Sequence, residues 1–264
     1  MGSVDQFDSV RTHLDKEGWA IIPDVLSKPE TEEALRHLWK ASEEAERQGD
    51  SIYKPNIDPN ASNVRVFNLI GLDPLFRDMI SHPLALEMVQ SVLGHSFLIS
   101  NFTANIARPG SKSMSLHSDQ SIVVPDPWKR VWAINVIWCL TDVYKENGAT
   151  LFIPGSNKWT ERSEIPPNAP ELLRPFEARA GSIILMDGRL WHTSGENITK
   201  DQDRALLFGY YTASFLRQQV NWNAQLPKDL QDSLSREMKD MLGLTATGNR
   251  GRVGDMRYLK QQFP

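Results

Sequence analysis

The sequence is poor in cysteine and has no excess of basic residues. Cys139 is its only cysteine, so no disulfide can form within the chain. Its 29 Lys and Arg residues are outnumbered by 33 Asp and Glu, and the formal net charge of -4 makes a nucleic acid an unexpected partner. Residues 1–15 are polar and acidic, unlike a secretory signal peptide, and we expect a cytoplasmic protein that does not bind membranes. The sequence does not decide between a monomer and a homodimer.

The chain does contain enough apolar material for a sizeable core. Hydrophobic residues make up 40% and charged residues 23% of its 264 residues, as is typical of globular proteins. This length suits one large β-barrel or sandwich, and we predict a single domain over residues 1–264. Cys139 lies in the apolar run 136–140, so we expect a core residue rather than a nucleophile.

The first third of the chain has the spacing of amphipathic helices. Apolar residues recur on one face of residues 5–16, and Ser27 with Glu30 forms the capping box that begins a long helix. Two more helices are predicted at 73–80 and 84–93, separated by His82 and Pro83. A further helical stretch at 230–242 is followed by a loop at 247–254 that contains Gly and Arg.

The middle of the chain has the composition of β-strands. Apart from a short strand at 19–22, runs of β-branched and aromatic residues separated by Pro- and Gly-containing turns lie at 97–106, 131–140, 150–153, 182–186 and 205–212. Helices followed by five or more strands predict a mainly β fold, a barrel or sandwich with flanking helices.

Two histidines and one aspartate form the pattern that carries the chemistry. His117 and Asp119 are two residues apart, and on a strand they would project from the same side. His192 follows the apolar run 183–186 and the turn 187–188, where we expect a second strand to end. Two imidazoles and a carboxylate are the set that binds non-haem Fe(II) on one face and leaves the other open. Zinc sites also use three such ligands, so the ligands alone do not identify the metal.

Beyond these residues the sequence resembles the phytanoyl-CoA dioxygenase (PhyH) family of Fe(II)- and 2-oxoglutarate-dependent oxygenases. The resemblance extends from Gly18 to about Phe215, and its most distinctive part is the run NGATLFIPGSNK at 147–158. The strand at 18–22, the His117-x-Asp119 pair, the run DGRLWHTSG at 187–195 and Arg204 complete it. Asn157 stands where the family often has histidine.

The resemblance implies a double-stranded β-helix, the cupin-like jelly roll, with iron at its open end. His117, Asp119 and His192 would be the catalytic iron ligands, and O2 and 2-oxoglutarate the co-substrates. Arg204 would form a bidentate salt bridge to the distal carboxylate of 2-oxoglutarate, a geometry that suits a guanidinium. Ser194 would support the same carboxylate. Asn135, an amide in an apolar strand, would contact 2-oxoglutarate or make a structural hydrogen bond.

The resemblance also implies a reaction type without a specific substrate. We expect oxidation of a small-molecule metabolite of specialised biosynthesis, by hydroxylation or by desaturation or rearrangement, with release of succinate and CO2. Halogenation is not expected, because related halogenating enzymes have Gly or Ala where this chain keeps Asp119. Phytanoyl-CoA itself is not expected, since the sequence has no obvious basic cluster for its nucleotide.

Substrate contacts are expected in the regions that are mobile in the family. Candidates are Asn63, Arg65, Phe67 and Phe215, although aromatic residues there are equally typical of ordinary packing. The alternative to an oxygenase is a cupin-like module that binds a ligand without turnover, or one that depends on zinc.

Overall fold

The computed structural model describes residues 4–245. Helices precede and follow a β-rich core, in the order that the sequence predicts. The helices are α1 (Val4–Glu17), α2 (Lys28–Arg47), α3 (Leu69–Leu72), α4 (Pro74–Ile80), α5 (Pro83–Leu93), α6 (Trp222–Gln225), α7 (Lys228–Ser233) and α8 (Arg236–Met241). The strands are β1 (Trp19–Ile22), β2 (Asn63–Val66), β3 (Phe97–Ala107), β4 (Ala133–Cys139), β5 (Thr150–Phe152), β6 (Arg174–Pro175), β7 (Ile183–Asp187), β8 (His192–Ser194) and β9 (Arg204–Ala213).

The strands form two antiparallel sheets, and together they make the predicted jelly roll. The larger sheet has the order β1-β7-β4-β9-β3-β2, and the smaller sheet has the order β6-β5-β8. The helical first third packs on the outer face of the larger sheet, where Leu38, Phe76 and Met88 share one core with Val136 and Leu207. Within the described residues, no helix combines the length and apolar character needed to span a membrane.

Local sequence signals explain where the early helices begin. The main-chain N–H of Ser27 donates to Glu30 at 2.7 Å, and the N–H of Glu30 donates to the Ser27 hydroxyl at 3.5 Å, which confirms the predicted capping box. Helix α5 begins at Pro83, whose fixed φ suits a first helical residue.

Two of the three wrong predictions about local structure concern the C-terminal helix and the segment that holds His117 and Asp119. The stretch 230–242 is two short helices rather than one, because Leu234 is extended and Ser235 caps α8 through the N–H of Met238. His117 and Asp119 do not lie on a strand: His117 forms an isolated β-bridge, and Asp119 begins a 3-10 helix, Asp119–Ile122. The predicted loop at 247–254 lies outside the described residues.

The inner face of the larger sheet is polar on one side and apolar on the other. Alternate residues of β3 point toward the smaller sheet, and these are Asn101, Thr103 and Asn105. On β4 and β7 the inward residues other than Asn135 are apolar, and they belong to one cluster with Phe152 of the smaller sheet; they include Ile137, Cys139, Ile184 and Met186. The polar side therefore borders a cavity, and the apolar side closes the core.

Cys139 occupies the apolar side, as predicted. It is fully buried, and burial raises the pKa of its thiol from 9.0 to about 12. At pH 8 this shift lowers the thiolate fraction on the order of a thousandfold.

We expect Ellman's reagent to leave the native protein unmodified and to titrate one thiol in 6 M guanidinium chloride. The exposed variant Lys145→Cys is the positive control, and rapid reaction of the native wild type would contradict this placement.

Candidate metal centre

Two of the predicted ligands are brought together by their own main chains. The N–H of His117 donates to the carbonyl of His192 at 3.0 Å, and the N–H of His192 donates to the carbonyl of His117 at 2.8 Å. Residues that exchange both hydrogen bonds lie directly opposite each other, so their side chains leave the pair on the same side. The two imidazole rings are accordingly 4.4 Å apart between centroids.

Each imidazole is oriented by a carbonyl two residues earlier in the chain. Nδ1 of His117 donates to the Ser115 carbonyl at 2.8 Å, and Nδ1 of His192 donates to the Leu190 carbonyl at 2.9 Å. Because a carbonyl only accepts, the proton lies on Nδ1 and the lone pair of Nε2 is free. Burial also lowers the pKa of His192, which favours the neutral ring that a metal requires.

The carboxylate of Asp119 completes the group. One oxygen, Oδ1, lies 3.8 Å from Nε2 of His117, and Oδ2 lies 3.8 Å from Nε2 of His192. The three ligand atoms are within 4.8 Å of one another. The expectation that His192 ends a strand is wrong, since His192 begins β8. The bridge, rather than a shared strand, places His117 beside it.

This donor set fits a divalent transition metal. Two neutral imidazoles and one carboxylate on one side of a cavity match the facial arrangement of Fe(II) oxygenases, and they also satisfy the ligand count of catalytic zinc. His192 is 7% exposed in its side chain, Asp119 24% and His117 35%. The group is therefore open on the side of His117 and closed on the side of His192.

The triad lines a cavity of about 150 Å³ between the two sheets. The structure brings four other predicted site residues to the same cavity, namely Arg65, Asn135, Ser194 and Arg204. Three predicted substrate residues lie elsewhere. Asn63 exchanges hydrogen bonds with the main chain of Lys112, Phe67 packs under the Lys54 ammonium, and Phe215 is 69% exposed beside Trp132.

Arg204 is a fully buried cation. Its Nε donates to the Gly148 carbonyl at 2.9 Å, and its Nη1 donates to the Asn105 carbonyl at 3.0 Å. Gly148 has φ +87°, a conformation that favours glycine and turns its carbonyl toward the guanidinium. Burial lowers the pKa of Arg204 to about 10, so the group stays charged at neutral pH. Within residues 4–245 no carboxylate lies within 4 Å of it, and Nη2 makes no hydrogen bond.

Ser194 and Thr150 face each other across the smaller sheet. They are directly opposite in the pairing of β5 with β8, and both line the cavity. The Ser194 hydroxyl accepts from the N–H of Met114 at 3.0 Å, which leaves its own proton available for donation. Thr150 was not predicted as a site residue, although it lies in the distinctive run 147–158.

The second guanidinium of the cavity, that of Arg65, is already neutralised. Its Nε donates to both oxygens of Asp58 at 2.8 Å, and the Asp58 carboxylate is fully buried. Burial raises the pKa of Asp58, and the charge of Arg65 opposes that rise. Arg65 therefore presents hydrogen-bond donors to the cavity without an uncompensated charge.

Several lining residues were missed because no sequence motif marks them. Asn101, Thr103 and Asn105 become a polar stripe only because β3 turns alternate residues inward. Tyr210 and Gln219 reach the same cavity from β9 and from the segment that follows it. The alternation of polar and apolar residues within 97–106 could have indicated them, but polar residues at alternate positions are also typical of an ordinary strand with one exposed face.

Comparison with known proteins agrees with the geometry. The sequence profile of the family "Phytanoyl-CoA dioxygenase (PhyH)" matches residues 14–205. The "Dioxygenase af480" of Aspergillus fumigatus is 55% identical over 257 residues, which cover 97% of this chain and 83% of that protein. The similarity thus extends over nearly the whole length of this chain.

Solved structures of low sequence identity show the same fold. The non-haem alpha-ketoglutarate-dependent carbocyclase SnoK from nogalamycin biosynthesis superposes with a TM-score of 0.67 at 19% identity, over 83% of this chain and 90% of that one. HygX from Streptomyces hygroscopicus, solved with nickel and 2-oxoglutarate bound, superposes with a TM-score of 0.62 at 17% identity, over 83% and 90% of the two chains.

The geometry predicts one divalent metal per chain, bound by the triad. In a Co(II) titration followed by visible absorption, Asp119→Ala should weaken binding by more than the roughly 10- to 100-fold that loss of an outer hydrogen-bond partner costs, because it removes a direct ligand. His95→Ala removes an exposed imidazole outside the cavity and should bind Co(II) like the wild type. Equal affinities of Asp119→Ala and wild type would place the metal elsewhere.

Proposed function

The chain belongs to the phytanoyl-CoA dioxygenase family, and we propose that it is an Fe(II)- and 2-oxoglutarate-dependent oxygenase that oxidises a small-molecule metabolite. The observation that carries the proposal is the pairing of the His117, Asp119 and His192 cluster with an uncompensated buried guanidinium, Arg204, in one cavity.

A buried charge without a counterion is unfavourable by several kcal/mol, on the order of the effective desolvation penalty of one ion. Three hydrogen bonds to neutral oxygens of Gly148 and Asn105 offset only part of that penalty for Arg204. An anion that enters the cavity would supply the missing charge. Arg65 cannot be the anion site, because Asp58 already neutralises it.

A dicarboxylic 2-oxo acid suits this arrangement. The free N–H groups of Arg204 on Nη2 would donate to its distal carboxylate, and Nη1 would complete a bidentate pair by exchanging its 3.3 Å hydrogen bond to Asn105 Oδ1 for the second carboxylate oxygen. The Ser194 hydroxyl would donate to the same carboxylate. His117, Asp119 and His192 would hold the iron, as the family resemblance implies. Thr150, opposite Ser194, adds a hydroxyl to the same wall.

The chemistry balances as an oxidation coupled to decarboxylation. In the default reaction, one C–H bond of the substrate becomes C–OH, while 2-oxoglutarate and O2 yield succinate and CO2. Iron(II), when bound, supplies the position at which O2 and the 2-oxo acid react. The residues of the chain hold the co-substrate by its far end, orient the imidazoles through Ser115 and Leu190, and leave the His117 side open. Desaturation or rearrangement uses the same site.

The substrate contacts that we propose lie on the β3 side of the cavity. Arg65, Asn101, Thr103 and Gln219 present polar groups there, and Oδ1 of Asn101 is buried without a partner among residues 4–245. A substrate with a hydroxyl or carbonyl group would satisfy these donors and acceptors, and the neutral Arg65–Asp58 pair does not demand an anion.

Asn63, Phe67 and Phe215 stay candidates only for contacts outside this cavity. We further propose that this metabolite belongs to specialised biosynthesis, as the sequence resemblance implies.

A zinc-dependent or non-catalytic cupin-like module is the competing proposal. The ligand set alone fits zinc as well. Such a module offers no reason for an uncompensated Arg204 beside the metal site, whereas a 2-oxo acid does. Oxygen-dependent release of succinate separates the two, since neither zinc chemistry nor simple binding decarboxylates 2-oxoglutarate.

We expect Arg204→Lys to weaken 2-oxoglutarate binding about 10- to 100-fold while iron stays bound, because lysine keeps the charge but loses the bidentate geometry. Anaerobic protein with Fe(II) is titrated with 2-oxoglutarate, and the visible charge-transfer band is followed. Ser194→Ala should give a smaller loss, and Arg174→Lys, an exposed arginine, is the matched control. Wild-type affinity in Arg204→Lys would mean that another group holds the carboxylate.

Wild-type protein with Fe(II), 2-oxoglutarate and air should release succinate slowly even without substrate. His192→Ala should abolish this release, since it removes a ligand. A screen of oxygenated metabolites for succinate release above that basal rate then identifies substrates. No succinate from iron-loaded wild-type protein, with or without metabolites, would exclude the oxygenase and favour the binding module.

A further inference from the structure

Asp119 is held by two residues that lie side by side in the larger sheet. Nδ2 of Asn135 donates a short hydrogen bond to Oδ2 of Asp119, and the Tyr210 hydroxyl donates to the main-chain carbonyl of Asp119 at 3.2 Å. Asn135 on β4 and Tyr210 on β9 are directly opposite each other in the sheet register. Side chains of such a pair point to the same face, so both reach Asp119 from the inner face of the larger sheet.

The carboxylate of Asp119 needs such support more than the two imidazoles do. His117 and His192 are fixed by main-chain pairing and by their Nδ1 hydrogen bonds. Asp119 begins a 3-10 helix, and the torsion that rotates its carboxylate has only broad preferences. A donor fixed on a central strand removes that freedom, because it occupies one lone pair of Oδ2.

We propose that Asn135 and Tyr210 are positioning residues that set the orientation of the Asp119 carboxylate for the metal. This inference rests on the proposed function, since it assumes that Asp119 is a ligand. The amide of Asn135 fixes the carboxylate by its side chain, and Tyr210 fixes the main chain to which the carboxylate is attached. In this orientation Oδ1 lies 3.8 Å from Nε2 of His117 and Oδ2 lies 3.8 Å from Nε2 of His192, so the three side chains could share one metal.

The chemistry of the two donors suits this role. An amide stays neutral and donates at any pH at which the protein is folded. The hydroxyl of Tyr210, which donates to the Asp119 carbonyl, is likewise an uncharged donor. Neither residue adds a charge to the site. Of Asp119, Asn135 and Tyr210, only Asp119 would therefore bring a negative charge to the metal.

The alternative role of Asn135, contact with 2-oxoglutarate, makes a different prediction about metal binding without co-substrate. If Asn135 only held 2-oxoglutarate, its loss would leave the affinity for metal alone unchanged. If it orients Asp119, the loss is visible with no 2-oxoglutarate present. Outer partners of metal ligands typically contribute 10- to 100-fold to metal affinity.

The test is a Co(II) titration of full-length protein without 2-oxoglutarate, followed by visible absorption. We expect Asn135→Leu, which keeps the volume and removes the donor, to weaken Co(II) binding 10- to 100-fold. Asn135→Ser, whose hydroxyl is too short to reach Asp119, should lose a similar factor and serves if the leucine variant does not fold. Tyr210→Phe should lose less than tenfold, because it contacts the main chain.

Asn101→Leu is the matched control, because Asn101 is an amide of the same cavity and opposes Tyr210 from the other neighbouring strand, yet bonds to Gln219 rather than to Asp119. Its Co(II) affinity should equal that of the wild type. Asn135 variants within threefold of the wild type, or an equal loss in Asn101→Leu, would overturn the positioning role. Failure of the wild type itself to bind Co(II) would instead refute the metal site and with it the proposed function.

Discussion

The pair of main-chain hydrogen bonds between His117 and His192 is the constraint on which the site depends. It joins a segment that belongs to no strand to the first residue of β8, and so it makes neighbours of two side chains that are far apart in sequence. The next hydrogen bond of the same kind, from the N–H of Gln120 to the Gly188 carbonyl, holds the far end of the motif. Asp119 lies between these two anchors.

The inner face of the larger sheet has a polar side and an apolar side, and these determine what surrounds His117 and His192. Because β4 and β7 turn mainly apolar residues inward, a closed core that includes Leu190 and Met186 forms on that side of the sheet, and His192 is buried. Because β3 turns amides and a hydroxyl inward, the space beside His117 remains a polar cavity. Asn135 lies at the border, with Tyr210 on one side and Met186 on the other in the register of its neighbours. A single amide in an apolar strand thus marks the limit between core and site.

Much of this architecture could be predicted because its signals are local. The capping box at Ser27, the helix break at Pro83 and the β-branched runs from Phe97 onward depend on neighbours in sequence. The motif of His117 and Asp119 is also local, but its conformation is not. A one-residue bridge to His192 replaces the expected strand, and no property of residues 116–119 alone reports that partner.

The neighbours of the site could not be predicted for the same reason. Asn135 is unusual as an amide in an apolar strand, but its hydrogen bond to Asp119 depends on a contact between two segments that the sequence does not place together. The pairing of β4 with β9 then adds Tyr210 beside it. Asn63 and Arg65 are two residues apart on one edge strand, so both point to the same face. Arg65 pairs with Asn105 and lines the cavity, whereas Asn63 lies at the strand end opposite Ala107 and bonds to the main chain of Lys112, a contact that the sequence does not reveal.

The two guanidiniums show why charge compensation, rather than residue type, distinguishes roles. Arg65 and Arg204 approach one cavity, and their mutual repulsion contributes to the lowered pKa of Arg204 after the larger effect of burial. Asp58 pairs with Arg65, so Arg204 is the guanidinium of this cavity that has no carboxylate partner among residues 4–245. An anion bound at Arg204 would offset both the desolvation of its guanidinium and the repulsion from Arg65. One guanidinium of the cavity is therefore left without a carboxylate partner, and under the proposed function it would hold the 2-oxo acid by the carboxylate far from the metal.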